Sequence, residues 1–320
     1  SVNHQISLKS IKKYCQFAEK SDIPIVEVGH GNGLGASSLL IGESLHTDFE
    51  VLNTARKYLI NSRLGIHIIP GLATINKDIN QAIDIGVDVF RIASHSTEAT
   101  ITKSHIEYLK KKNKTVFGVL MMTALASTKE LVANAKIMED YGAEAVIIMD
   151  STGTYLPFDV KERISALVDS LSIEIGFHAH NNLGLSVYNS LVAAQEGATY
   201  IDACIRGFGA GAGNTPLEVL LPVFEKYDYK LNIDFNLLIK EADKVMNYLE
   251  DDGSRVIVIY IYPDTPEGDA IVILGTELAR LNNQDVPSNS LVFQHENGRD
   301  LVFKDNKRSY LDTYFFNRDS

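Results

Sequence analysis

TVFGVLMMTALASTKELVANAKIMEDYGAEAVIIMDS, residues 115–151, decides the architecture. It opens on TVFGVLMM (115–122) and closes on AVIIMDS (145–151), two short runs whose interiors are almost continuously apolar. Between them, TKELVANAKIMEDYGA (128–143) is amphipathic at helical spacing and ends beside a glycine able to cap a helix C-terminus. Runs of this kind are what parallel strands buried on both faces require, and a helix between two of them makes a βα repeat.

The same rhythm extends in both directions. IPIVEVGH (23–30), GIHIIPG (65–71), DVFRIAS (88–94), IEIGFHAH (173–180) and YIDACIRGFG (200–209) are the further strand candidates, and LSVYNSLVAAQEGA (185–198) is another amphipathic stretch ending near a glycine. No nucleotide fingerprint follows the first strand, so regular alternation over this length predicts an α/β (β/α)8 TIM barrel rather than a doubly wound sheet.

Polar residues gather where the strands end: Glu27 and His30, Arg91 and Ser94, Asp150 and Ser151, His178 and His180, Asp202 and Arg206. In a barrel that rim is the active face. One such residue alone is most simply a hydrogen-bonded strand end; five strand ends together are better explained by a shared site. Residues i and i+2 of a strand point the same way, so His178 and His180 converge on the barrel mouth. Two imidazoles so placed can take adjacent positions on one divalent cation. Neither cysteine, Cys15 or Cys204, is close to the pair in sequence. A mixed histidine and carboxylate site acting on an oxygen-rich substrate is therefore preferred to a thiolate zinc site.

GFGAGAGNTPLEVL (207–220) follows the last strand. Its glycines allow close backbone approach to a ligand, but the Lys and Ser/Thr of a Walker loop are absent, so a nucleotide grip is a poor reading. Asn214 is the candidate oxygen donor near the metal, against the plainer reading of a tight turn chosen for packing.

Composition narrows the function. At 320 residues and 45% hydrophobic, the chain can bury a large core, and no apolar run reaches the ~18 residues of a membrane span. A formal net charge of −11 disfavours nucleic acid and anionic membranes as partners. Two cysteines without CxxC spacing suggest no disulfide framework, which is consistent with a cytoplasmic location. The basic run Lys110–Lys114 reads as the solvated end of a helix.

Taken in order, VEVGHGNGLGASS (26–38), FRIASHSTEA (90–99), VLMMTALAS (119–127), DSTG (150–153), EIGFHAHNNLGLSVYNSLVAAQEGATYIDA (174–203) and GFGAGAGNTPLEVL (207–220) resemble the 4-hydroxy-2-oxovalerate aldolase family, within the HMG-CoA lyase-like metal-dependent barrels. The resemblance runs over roughly the first 225 residues. It implies that His178 and His180 bind a divalent ion, commonly Mn²⁺ or Mg²⁺, and that a 4-hydroxy-2-oxo acid is cleaved to pyruvate and an aldehyde through a metal-stabilised enolate. It further implies Ser151 as a hydrogen-bonding and catalytic residue at the keto-acid end and Glu27 as a catalytic rim carboxylate. Asn214 matches a metal-proximal Asn, and His30 and Arg91 are the other expected contacts to the small 2-oxo acid. A homo-oligomer is expected. Related Claisen-type synthases carry a Glu-Arg pair in the last glycine-rich segment where this chain has Gly-Ala, which favours the lyase side over an acyl-CoA/2-oxo acid synthase or an HMG-CoA lyase-like enzyme.

Two departures matter. The family's first strand ends in Arg-Asp-Gly, and the stretch that follows it there reads like SVNHQIS, which here is 1–7. Seven barrel strands are therefore expected, the family's first being absent, either from a trimmed chain or from a variant that is a non-catalytic barrel with an assembly role. An open barrel leaves strand edges to be covered. The run Arg255–Tyr262, with Asp264 near the absent ligand's position, is one candidate filler; a strand of a separate small domain is the plainer reading. Residues 1–225 are thus read as the catalytic domain and 226–320 as an appendage, helical over 236–250 and then β-rich. Within it, LVFQHENGRDLVFKDN (291–306) reads as a hairpin with His295 and Glu296 in its turn. The family's C-terminal tyrosine and its aldehyde dehydrogenase partner find no support in this tail.

Overall fold

The computed structural model describes residues 4–240, 244, 271–274, 292–295 and 300–302. Seven parallel strands follow one another in chain order, each hydrogen-bonded to the next: β1 Ile25–Glu27, β2 Arg63–Ile68, β3 Val89–His95, β4 Thr115–Met121, β5 Ala145–Asp150, β6 Glu174–Ala179 and β7 Tyr200–Asp202. Helices α2 (Asp48–Tyr58), α3 (Asn80–Ile85), α4 (Lys103–Lys111), α5 (Thr128–Asp140), α6 (Pro157–Ser170) and α7 (Ser186–Gln195) return the chain between strands, with α1 (Leu8–Lys20) before β1 and α8 (Leu217–Lys226) after β7. Sequential order without a reversal is the wall of a TIM-like barrel, here of seven strands among the described residues.

Alternation along the strands sorts two apolar layers. Val26, Leu64, Ile66, Phe90, Ile92, Val146, Ile148, Ile175 and Phe177 point outward into the main core beneath the helices. Val89, Ala93, Phe117, Val119, Ala145 and Ile147 form a separate inner cluster with Met121, Met149 and Tyr200 against it. Both faces are thus buried, which is why the strand sequences carry so little polar alternation. Gly118 is required by the outer packing, because a Cβ there would sit 2.5 Å from the Met138 sulfur of α5.

Local chemistry sets the helix starts. Thr47 and Ser127 each accept a hydrogen bond from the third residue of α2 and α5, while Glu50 and Glu130 bond back to the cap, two complete capping boxes. The basic run at 110–114 closes α4, with Lys110 paired to Glu144 at 2.6 Å. Between the sheet edges, Phe17 of α1 packs with Ile205, Leu221 and Leu238, and Tyr14 and Ile23 lie against them. Asp234 N–H donates to the Ser21 carbonyl at 3.1 Å, tying the chain beyond α8 to the end of α1.

The seventh strand is shorter than the 200–209 expected. After Asp202 the chain leaves the sheet: Cys204 N–H donates to the Thr215 carbonyl at 2.9 Å and Leu217 N–H to the Cys204 carbonyl at 2.9 Å, and Arg206 takes φ +52°. The glycine-rich segment has captured the hydrogen bonds that would have continued the ladder.

Contacts divide the chain into Ser1–Gly253 and Ser254–Ser320. In the second unit β8 (Ile271–Leu274), β9 (Val292–His295) and β10 (Asp300–Val302) form an antiparallel sheet in the order β10-β9-β8, with Asp300 opposite Gln294. His295 closes β9 rather than lying in the turn, and Glu296, Arg255–Tyr262 and Asp264 lie outside the described residues. No helix among the described residues is long and apolar enough to cross a membrane.

Candidate functional site

Strand parity selects which polar rim residues meet. Register pairs His67 of β2 with Arg91 of β3, Met149 of β5 with His178 of β6, and His178 with Asp202 of β7, all on the inner face. Glu27 closes β1 on the same face. The result is one connected charged group on the inner face, near the ends of β1, β6 and β7, with Arg91 reaching it from within β3. Arg91, 10% exposed, forms ion pairs with Asp202 and, at 3.4 Å, with Glu27. His178 Nδ1 lies 3.0 Å from the same Asp202 oxygen.

The two histidines converge as their spacing requires: the rings of His178 and His180 are 5.2 Å apart between centroids and tilted by 57°. Burial, and then the neighbouring His178, lower the His180 pKa to about 4, so its imidazole is neutral at pH 7. Burial would raise the Asp202 carboxyl, but the Arg91 guanidinium and His178 outweigh it and hold Asp202 well below the usual carboxylate range. An ionised carboxylate accepts, so the hydrogen of that 3.0 Å bond is on His178 Nδ1.

Asn214 stands beside His180, its backbone joined to that residue in an isolated β-bridge. Its Nδ2 donates to Cys204 Sγ at 3.2 Å and to the Phe208 carbonyl at 3.0 Å. Its Oδ1 is buried without a hydrogen-bond partner among the described residues. A buried carbonyl oxygen without a donor has an unmet need for positive charge.

The imidazole of His180, held neutral by burial, the His178 ring beside it and an orphaned amide oxygen are donors that fit a divalent cation. The carboxylate ligand expected from the sequence is not part of that set. No group of three or more His, Cys, Asp and Glu residues able to hold a metal occurs among the described residues, and Asp202 stands behind His178 as its hydrogen-bond acceptor.

Ser151 Oγ accepts the Met122 N–H at 2.9 Å, which leaves its hydroxyl proton available to a ligand. His30 is drawn elsewhere. Its Nδ1 accepts Asn32 N–H at 3.0 Å, its Nε2 donates to the Gly42 carbonyl at 3.0 Å, and its ring stacks on His4 at 3.7 Å. Those bonds fold the loop after β1. Asp150 and Ser94, also strand-end residues, have outward parity. Asp150 is fully buried and accepts from Thr152 Oγ1, Thr154 N–H and Tyr155 N–H at 3.0–3.1 Å, so it shapes the β5 turn.

His67 and Cys204 belong to the inner group and were not singled out by sequence. His67 is buried beside Arg91, and burial lowers its pKa. Cys204 is driven up to about 11 by burial, which keeps it a neutral thiol. The signal for His67 was its even spacing from Gly65 and Ile69 within GIHIIPG.

The HMGL-like family model matches residues 1–246. The chain is 55% identical over 243 residues to the 4-hydroxy-2-oxovalerate aldolase of Pectobacterium atrosepticum, covering 76% of this chain and 71% of that one. Identity and coverage are the same against the Spirochaeta aurantia enzyme of that name. The Bacillus subtilis HMG-CoA lyase structure superposes with a TM-score of 0.67 at 15% identity over 77% of this chain and 88% of that one, a likeness of fold.

Proposed function

Since the chain belongs to the HMGL-like family, we propose that it cleaves a 4-hydroxy-2-oxo acid to pyruvate and an aldehyde, using the inner-face group as the site of a divalent cation. The observation that carries this reading is the orphaned Asn214 Oδ1, on a residue bridged to His180, together with the converging rings of His178 and His180. His178, His180 and Asn214 would hold the ion. When bound, a divalent cation supplies Lewis-acid stabilisation of the negative charge that develops on the 2-keto oxygen.

The protein's own groups do the rest. Ser151, whose Oγ accepts the Met122 N–H, would donate its hydroxyl proton to the substrate carboxylate. Retro-aldol cleavage also needs a base for the 4-hydroxyl proton. Of the two inner carboxylates, Glu27 is the more open, at 36% side-chain exposure against 20% for Asp202, and it is Asp202 that is hydrogen-bonded to a histidine. Loss of the hydroxyl proton to Glu27 lets the C3–C4 bond break, its electrons moving towards the 2-keto oxygen; protonation at C3 then yields pyruvate. Arg91, expected to bind substrate, has its terminal nitrogens engaged by Asp202 and Glu27 and acts on the substrate through them. A homo-oligomeric, cytoplasmic enzyme with Mn²⁺ or Mg²⁺ as its ion goes with this reading.

The test is pyruvate release from 4-hydroxy-2-oxovalerate, with and without a chelator. Activity should require a divalent ion and should fall by about 10³-fold or more in the His178→Ala, His180→Ala double variant, the scale of losing an electrostatic stabiliser at the reacting oxygen. Metal-dependent turnover that survives the double substitution would sink the reading.

A further inference from the structure

We infer that Asp202, clamped by Arg91, is a positioning residue that fixes the tautomer of His178 and thereby sets the affinity of the site for a divalent cation. This deepens the reading above and rests on it. A neutral imidazole carries its proton on one nitrogen, and only the other can coordinate a cation. Nothing in the β6 backbone chooses between them. The choice comes from across the strand boundary: Asp202 is level with His178 in the β6–β7 ladder and presents Oδ2 to Nδ1 at 3.0 Å. A carboxylate can only accept at that distance, so the proton sits on Nδ1 and Nε2 is left as the ligand atom.

Arg91 fixes that acceptor in place. Its guanidinium bonds the same Oδ2 from β3, 111 residues earlier in the chain, and holds the Asp202 side chain stationary against His178. Glu27, 3.4 Å from the other terminal nitrogen, holds the guanidinium from the opposite side. Three strands thus converge on the orientation of one imidazole ring. His180 has no equivalent carboxylate among the described residues; its ring is hydrogen-bonded to the backbone of Ala210. The two histidines are therefore held differently: His180 by the Ala210 backbone, and His178 by a carboxylate that Arg91 grips in turn.

The experiment has two readouts on the full chain. The first is the His178 tautomer in metal-free protein by ¹⁵N NMR of the imidazole nitrogens, which is independent of whether a metal binds. Wild type should show the proton on Nδ1; Asp202→Ala should lose that preference, and Asp202→Asn, which keeps an acceptor oxygen at similar volume, should retain much of it. The second is Mn²⁺ affinity by calorimetric titration. Asp202→Ala should weaken it by about 10- to 100-fold, with Asp202→Asn in between and Arg91→Met weaker than wild type. A His178 proton on Nε2 in the wild type, or an unchanged tautomer in Asp202→Ala, overturns the inference. So does wild-type Mn²⁺ affinity in folded Asp202→Ala or, should that variant not fold, in Asp202→Asn. If wild type itself fails to bind Mn²⁺ while its tautomer is as stated, the metal reading falls and the positioning of His178 stands.

Discussion

Asp150 and Asp202 end two strands of the same sheet, β5 and β7, and both are withdrawn from solvent, yet they do opposite work. Asp150 faces outward, where backbone and hydroxyl donors from the next five residues satisfy it; burial nevertheless raises its pKa. Asp202 faces inward, where a guanidinium and an imidazole from distant strands hold it ionised. One carboxylate builds a turn and the other addresses a ligand-bearing histidine. The difference lies in strand parity: the outer face of the rim is satisfied locally, and the inner face is satisfied from across the barrel.

Phe177 and His178 give that contrast its sharpest form, being consecutive residues on opposite faces of β6. Phe177 is fully buried in the outer core. Phe177→Ala should cost about 3–5 kcal/mol of stability, whereas His178→Ala should abolish metal-dependent turnover with a much smaller loss of stability. Denaturant melts beside pyruvate assays separate the two, and equal stability losses would break the distinction between faces. Asp150→Ala removes three acceptor contacts from a fully buried site, and should cost about 2–4 kcal/mol while leaving Mn²⁺ affinity close to wild type in protein that stays folded.

Gly153 lies where the two faces meet. Its φ is +62°, and a Cβ would fall 2.7 Å from Asn182 N and 2.9 Å from the His180 carbonyl carbon. Gly153→Ala should therefore destabilise the fold by about 1–3 kcal/mol and also weaken metal binding, because the β5 turn is pressed against the backbone of His180. Ser127→Ala, at the α5 capping box far from the inner group, should cost about 1 kcal/mol and leave KM unchanged.

The smallest effect concerns pH. Burial holds the His67 pKa below its ordinary value of about 6.5. Above that value the ring is neutral in both folded and unfolded chains. As pH falls below it, the unfolded chain takes up a proton that the buried ring refuses, so stability declines towards the lower folded pKa. His67→Gln should reduce the fall of the denaturant midpoint between pH 7.5 and 5, with His180, held at about 4, and His105, likewise lowered by burial, keeping the rest of the slope.

Much of this was legible in the sequence because strands and helices are periodic. The apolar runs located all seven strands, and the two-residue spacing of His178 and His180 located the convergence of their rings. What was not legible depended on partners distant in the chain. Grouping Asp150 with the rim site ignored parity, which a register shift of one residue reverses. Arg91 reads locally as a cation awaiting a substrate; its pairing with Asp202 exists only once β3 and β7 share an interior. The early end of β7 came from a competition for backbone hydrogen bonds that the glycine-rich segment won.

The most direct test of the central claim is Mn²⁺ binding to metal-stripped full chain, followed by the electron paramagnetic resonance of the bound ion with histidine labelled in ¹⁵N. The account predicts stoichiometric binding with two nitrogen couplings, one of them lost in His178→Ala and the other in His180→Ala. Binding that persists with the same couplings in the double variant would place the ion elsewhere and contradict it.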